Sequence, residues 1–164
     1  MKEKEKKKIL FVCTGNTCRS IMAQALAQKD LEDFEEETGK DLEFYSAGLA
    51  ALPGEGASPP ARQVLEEEGI KVDHHQARLL TPSLVEEAFL VLTMTLRHKE
   101  TILALMPQAE HKVFTLKEFL LKEGERGPLN VDDPFGQSVE SYREIQEEFK
   151  KILPRLIDKI KRKD

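Results

Sequence analysis

The stretch from Lys8 to Ala25, KILFVC–TGNTCRS–IMAQA, constrains this chain more than any other. An apolar, β-branched run ends in a cysteine. A short loop of Thr, Gly and Asn follows, and Arg19 and Ser20 open a helical pattern. A strand that delivers a thiol into a turn at a helix N-terminus is an anion-binding device with a nucleophile at its centre. It also predicts the fold class, because a βα junction of this kind belongs to a parallel sheet with crossover helices.

The remaining elements fit that prediction. Apolar residues at Met22, Ala23, Leu26, Ala27 and Leu31 recur at helical spacing from Arg19 to about Glu37, where Thr38-Gly39 is a stop signal. Leu42–Ala47 alternates as a second strand ended by Gly48, and PGEGASPP is a turn-rich loop. Pro59 and Pro60 suit the first turn of a helix that Gly69 closes. Residues 70–80 read as a loop carrying His74, His75 and Arg78; Thr81 then caps a short helix. FLVLTM (89–94) is the most hydrophobic strand, Arg97–Met106 a helix ended by Pro107, and Lys112–Leu116 a fourth strand followed by a short helix to Lys122. The last helix spans Ser138–Lys161, with Pro154 positioned to kink or interrupt it. These patterns predict a single α/β domain over residues 1–164, doubly wound, with a four-stranded parallel sheet flanked by helices on both faces. Residues 1–7 form a charged tail.

At 164 residues the chain is about one domain long. A net charge of −5 argues against a nucleic-acid partner, so the basic clusters at the two ends read as solvated tails. The N-terminus lacks the apolar run and cleavage site of a signal peptide, and no apolar stretch approaches the roughly 20 residues that span a bilayer. Two cysteines inside one loop are not a secreted disulfide framework. The expectation is a cytoplasmic monomer without membrane or nucleic-acid partners.

The order Cys13-Thr14-Gly15-Asn16-Thr17-Cys18-Arg19-Ser20 has a physical logic. Successive backbone N–H groups of such a loop converge on an oxyanion, and the helix dipole adds about half a positive charge. The Arg19 guanidinium grips two phosphate oxygens in a fork, which lysine cannot do. The same positive field favours the reactive thiolate at Cys13. Gly15 and Asn16 tolerate positive φ, so the loop can curl, and Ser20 can donate to the sulfur. The alternative, a buried free cysteine before an ordinary βα turn, leaves the arginine and serine spacing unexplained.

These residues resemble the low-molecular-weight protein-tyrosine-phosphatases, whose signature is C-x5-R-S near the N-terminus and an Asp-Pro far downstream. VCTGNTCRS, YSAG (45–48), HQAR (75–78), LVLTM (90–94) and DDPFG (132–136) carry the resemblance over nearly the whole chain. It implies Cys13 as nucleophile, Arg19 as the phosphoryl-binding and transition-state group, and Asp133 as general acid and then base. Thr14, Gly15, Asn16, Thr17, Cys18 and Ser20 line the phosphate loop, and Phe135 contacts substrate. Pro134 stiffens the acid's backbone, and Asp132 is the adjacent competitor. The resemblance further implies a hydrogen-bond network of Asn16, Ser46 and His75, supported by Ser20, behind the loop. No set of His, Asp or Cys at ligand spacing accompanies His74 and His75, so neither metal nor cofactor is expected. Cys18 is either a trap for oxidised Cys13 or a small packed side chain.

Two departures point to substrate. Thr17 stands where tyrosine-specific members carry an aliphatic residue, and Phe135 is followed by Gly136 instead of a second aromatic. Both are similar to the bacterial protein-arginine-phosphatase branch and imply phosphoarginine proteins as substrates, with phosphotyrosine as the alternative. An acidic rim including Asp132 would suit the guanidinium. Ile21 and Gln24 depart from the branch's usual Pro and Glu. An arsenate reductase would need downstream cysteines, and none follows Cys18; a non-catalytic phosphoprotein-binding module would not need both Cys13 and Asp133.

Overall fold

The computed structural model describes residues 6–33 and 42–162. Strands β1 (Lys7–Cys13), β2 (Leu42–Gly48), β3 (Leu90–Thr93) and β4 (Val113–Thr115) form one parallel sheet in the order β2-β1-β3-β4. Helices α1 (Arg19–Asp33), α2 (Pro59–Glu67), α3 (Pro82–Glu87), α4 (Leu96–Leu105), α5 (Leu116–Leu120) and α6 (Val139–Arg162) connect and cover it. The four-stranded parallel sheet matches the sequence-based expectation. The expected helix stop at Thr38-Gly39 lies outside the described residues.

Period-two alternation along β1 divides the core between the two faces of the sheet. Ile9 and Phe11 point into a large cluster with Met22, Leu26, Val64, Leu65, Phe149 and Leu153, supplied by α1, α2 and α6. Leu10 and Val12 point the other way, against Val85, Ile102, Met106 and Ala109. Helices on both faces explain why β1 from Ile9 onward and β3 from Leu90 to Leu92 are continuously apolar.

Helix ends follow local chemistry. The Thr81 side chain accepts from the Leu84 N–H, Thr95 and His98 form a reciprocal box at α4, and Thr115 and Glu118 form another at α5. Gly69 sits at φ 78 just past α2. Pro154 does not interrupt α6, which runs unbroken for 24 residues. An interior proline costs about 3 kcal/mol. Leu153, Leu156 and Ile157, each at 0% exposure, bring about 1.5–3 kcal/mol apiece and outweigh it. The 70–80 segment is not wholly loop: Leu79 bridges Gly48 in parallel, extending the edge beside β2. Among the described residues no helix is long and apolar enough to cross a membrane.

Candidate active site

In a parallel sheet ligands sit beyond the carboxyl ends of the strands, where order reverses about the first strand. Here β1 lies between β2 and β3 and ends at Cys13. The loop that follows has its carbonyls consumed from outside. Leu49 N–H donates to Cys13 O (3.0 Å), Ala50 N–H to Thr14 O (2.9 Å), His75 Nε2 to Asn16 O (2.8 Å), Ser58 N–H to Thr17 O (2.9 Å) and Met22 N–H to Cys18 O (3.0 Å). In a trans peptide the C=O and the next N–H point in opposite directions. The N–H groups of Thr14, Gly15, Thr17, Cys18 and Arg19 are therefore turned to the other, concave side, at the N-terminus of α1. Asn16 makes the curl possible at φ 57, the sole non-glycine positive φ among the described residues.

Behind the loop one chain of donors has its direction fixed. Arg78 N–H donates to Asn16 Oδ1 (2.9 Å), so the amide nitrogen faces Ser20 and donates to its Oγ (2.8 Å). The Ser20 hydroxyl is left to donate to Cys13 Sγ at 3.0 Å, and Asn16 N–H points at the same sulfur from 3.3 Å. Two donors thus converge on one sulfur.

Arg19 is 4% exposed and doubly held: one terminal nitrogen donates to Val131 O at 2.9 Å, and the other lies 3.5 Å from Asp133 Oδ2. Val131 N–H in turn donates to Met94 O (2.8 Å), which stitches the downstream loop to the end of β3. Asp133 Oδ1 accepts from Phe135 N–H (3.0 Å), and Pro134 is buried beneath. The result is a pocket of about 300 Å³ with Cys13 and Arg19 at its base, Thr14, Gly15, Thr17 and Cys18 around it, and Asp133 and Phe135 on one wall.

Comparison with known proteins agrees with this geometry. Residues 8–164 match the low molecular weight phosphotyrosine protein phosphatase family. The chain belongs to that family. It is 40% identical over 154 residues to the protein-arginine-phosphatase of Bacillus subtilis (strain 168), covering 94% of this chain and 97% of that protein. The YwlE arginine phosphatase from Geobacillus stearothermophilus superposes with a TM-score of 0.82 at 40% identity, over 96% of this chain and 94% of that one. A low molecular weight protein tyrosine phosphatase from T. tengcongensis superposes with a TM-score of 0.83 at 39% identity, over 94% and 99% of the two chains.

In this phosphatase Cys13, Thr14, Gly15, Thr17, Cys18, Arg19, Asp133 and Phe135 meet at one pocket, while Asn16, Ser20 and His75 stand behind it. Burial lowers the His75 pKa, so the ring is neutral and the Nε2–H is available for the Asn16 carbonyl. Ser46 departs from the expected network: its hydroxyl donates to Gln24 Oε1 on α1 rather than to Asn16 or His75. The reason is strand parity. Ser46 shares the face of Leu42 and Phe44, which packs on α1. Asp132 is exposed and does not line the pocket. Cys18 Sγ lies 3.3 Å from Ser58 Oγ and 3.4 Å from Tyr142 OH, both cysteines are free, and burial with the Cys18 contact pushes the Tyr142 hydroxyl up to about 12.

Sequence reasoning missed several contributors. His98 contacts Thr14, Gly48 lies against the loop backbone, and Glu55 with Leu52 forms the pocket wall beside Ala50. A histidine three residues after a cap threonine, and the final glycine of YSAG, carried local signals. Glu55 carried none, because a glutamate in a turn is ordinarily a solvated side chain.

Proposed function

We propose that the phosphatase hydrolyses phosphoarginine in proteins through a phosphocysteine intermediate, in the cytoplasm and as a monomer. Loop N–H groups and the Arg19 fork hold the phosphoryl oxygens, and Cys13 Sγ attacks phosphorus in line with the leaving nitrogen. As the P–N bond breaks, its electron pair passes to that nitrogen, Asp133 delivers its proton there, and the arginine side chain departs as guanidinium. Asp133, now a carboxylate, takes a proton from water, which attacks the phosphocysteine; phosphate leaves and the thiolate returns, received by the Ser20 and Asn16 donors.

The observation that carries the arginine reading is Thr17 on the pocket wall, in the nucleophile loop two residues before Arg19. Among the described residues its hydroxyl has one hydrogen-bond neighbour, Cys18 Sγ at 3.8 Å, too long to satisfy it strongly, which leaves it able to meet a polar leaving group. Phe135 is the single aromatic of the pocket, followed by Gly136 at φ 77, so no second ring completes a sandwich for a phenyl group. The 40% identity to the arginine phosphatase of Bacillus subtilis supports the same reading. Two free loop cysteines suit a reducing compartment.

Steady-state turnover of a phosphoarginine protein against a phosphotyrosine peptide tests it, with Thr17→Ile beside the wild type. The wild type should prefer phosphoarginine, and Thr17→Ile should shift the preference toward phosphotyrosine. Equal or faster phosphotyrosine turnover by the wild type overturns the reading. Cys13→Ser should be inactive on both.

A further inference from the structure

We propose that Glu55 is a specificity-determining residue whose carboxylate reads the positive charge of the phosphorylated guanidinium; this rests on the phosphoarginine reading above. Glu55 lines the pocket on the wall opposite in chain origin to Asp133, and its position is over-determined. Leu52-Pro53-Gly54-Glu55 is a tight turn with Pro at its second position and Gly54 at φ 90, the combination that type II geometry demands. Glu55 N–H closes it on Leu52 O (3.1 Å). Gly54 N–H donates to Ala77 O (3.0 Å) and Ala77 N–H donates back to Glu55 O (2.7 Å), so both strands of the turn are stapled to the 70–80 segment.

The charges of the pocket are then unequal in their commitments. Arg19 is occupied by Val131 O and Asp133. The Glu55 side chain makes no hydrogen bond or ion pair among the described residues. A bare carboxylate at the mouth of a pocket that receives a doubly negative phosphoryl group repels any purely anionic ligand, phosphotyrosine included. A phosphorylated guanidinium differs: it carries a delocalised positive charge beside the phosphoryl group and planar N–H donors that a carboxylate can accept in pairs. Leu52, 69% exposed on the same turn, and Phe135, 72% exposed on the facing wall, supply apolar surface for the arginine methylenes. The acidic rim expected from sequence at Asp132 is thus occupied by Glu55.

Full-length Glu55→Gln and Glu55→Lys, assayed on a phosphoarginine peptide and a phosphotyrosine peptide, test the assignment. Glu55→Gln should raise KM for phosphoarginine about fivefold, the scale of a partly exposed charge pair, with kcat unchanged. Glu55→Lys should raise it further, and KM for phosphotyrosine should fall in the same order. Salt should raise the wild-type KM for phosphoarginine more than that of Glu55→Gln. A KM unchanged in Glu55→Gln, or one that rises equally for both substrates, overturns the assignment. Those outcomes differ from failure of the phosphoarginine reading itself, which would appear as a wild type that prefers phosphotyrosine.

Discussion

His98 donates its Nε2–H to Thr14 Oγ1 across 2.9 Å, tying the first turn of α4 to the first residue of the phosphate loop. The direction follows from the other ring nitrogen. Thr95 N–H donates to His98 Nδ1 at 3.2 Å, so the neutral ring carries its proton on Nε2. Burial, then the nearby Arg19 charge, lowers the His98 pKa to about 4, with Asp133 opposing. The Thr14 hydroxyl, having accepted, turns its own proton toward the pocket that it lines.

His98→Gln should destabilise the fold by about 1–2 kcal/mol near neutrality, from the lost cap box and loop contact. The pH dependence has a definite sign. Between the ordinary value of 6.5 and about 4 the unfolded chain binds a proton that folded His98 refuses, so stability falls as pH drops through that interval. Urea midpoints measured across it should decline more steeply for the wild type than for His98→Gln. The residual slope of the variant includes His75, whose pKa is also lowered. Parallel slopes would show that His98 is not held neutral.

Gly48 admits the loop where no side chain can. A Cβ there would stand 2.5 Å from Thr14 O, 2.8 Å from Asn16 N and 2.9 Å from the Gly15 carbonyl carbon, all backbone atoms. Gly48→Ala should therefore cost about 1–3 kcal/mol in thermal or urea unfolding. By displacing the loop it should lower kcat/KM by about a hundredfold. Gly56→Ala, where the nearest atom is His75 O at 4.0 Å, should be near-neutral in both assays.

Ser20 passes the orientation of Asn16 to the nucleophile. Ser20→Ala removes a hydrogen bond to a charged sulfur, worth about 1.5–3 kcal/mol, and so should lower kcat by about tenfold or more. The loss should fall on the second step, where the thiolate leaves. Acid-quenched samples should contain more phosphocysteine in the variant than in the wild type; less would contradict the role.

Asp133 and its neighbour should separate cleanly. Asp133→Asn should reduce kcat by about 10²–10⁴, the range of a lost acid-base catalyst, whereas Asp132→Asn should leave both kcat and KM near wild type. Asp133 lines the pocket within reach of Arg19; Asp132 points to solvent. Equal effects in the two variants would reverse this distinction.

Much of this molecule was legible in its residue order because the signals are short-range. A strand's alternation, a threonine cap, a glycine past a helix end and a C-x5-R-S loop are complete within about ten residues, so β1, α1 and the places of Cys13 and Arg19 at the junction between them could be read directly. What required the tertiary structure were partners far apart in the chain. Ser46 went to Gln24 because of the face it occupies on β2, and Pro154 was carried through α6 by the burial of Leu153, Leu156 and Ile157. His98 reached Thr14 across 84 residues, and Glu55 became a pocket residue because Ala77 staples its turn. The order of residues determined a thiol and an arginine on an anion-binding loop. Which groups brace that loop, and which charge waits at its mouth, was decided by packing, since only a closed core brings carbonyls and side chains of distant segments within hydrogen-bond range.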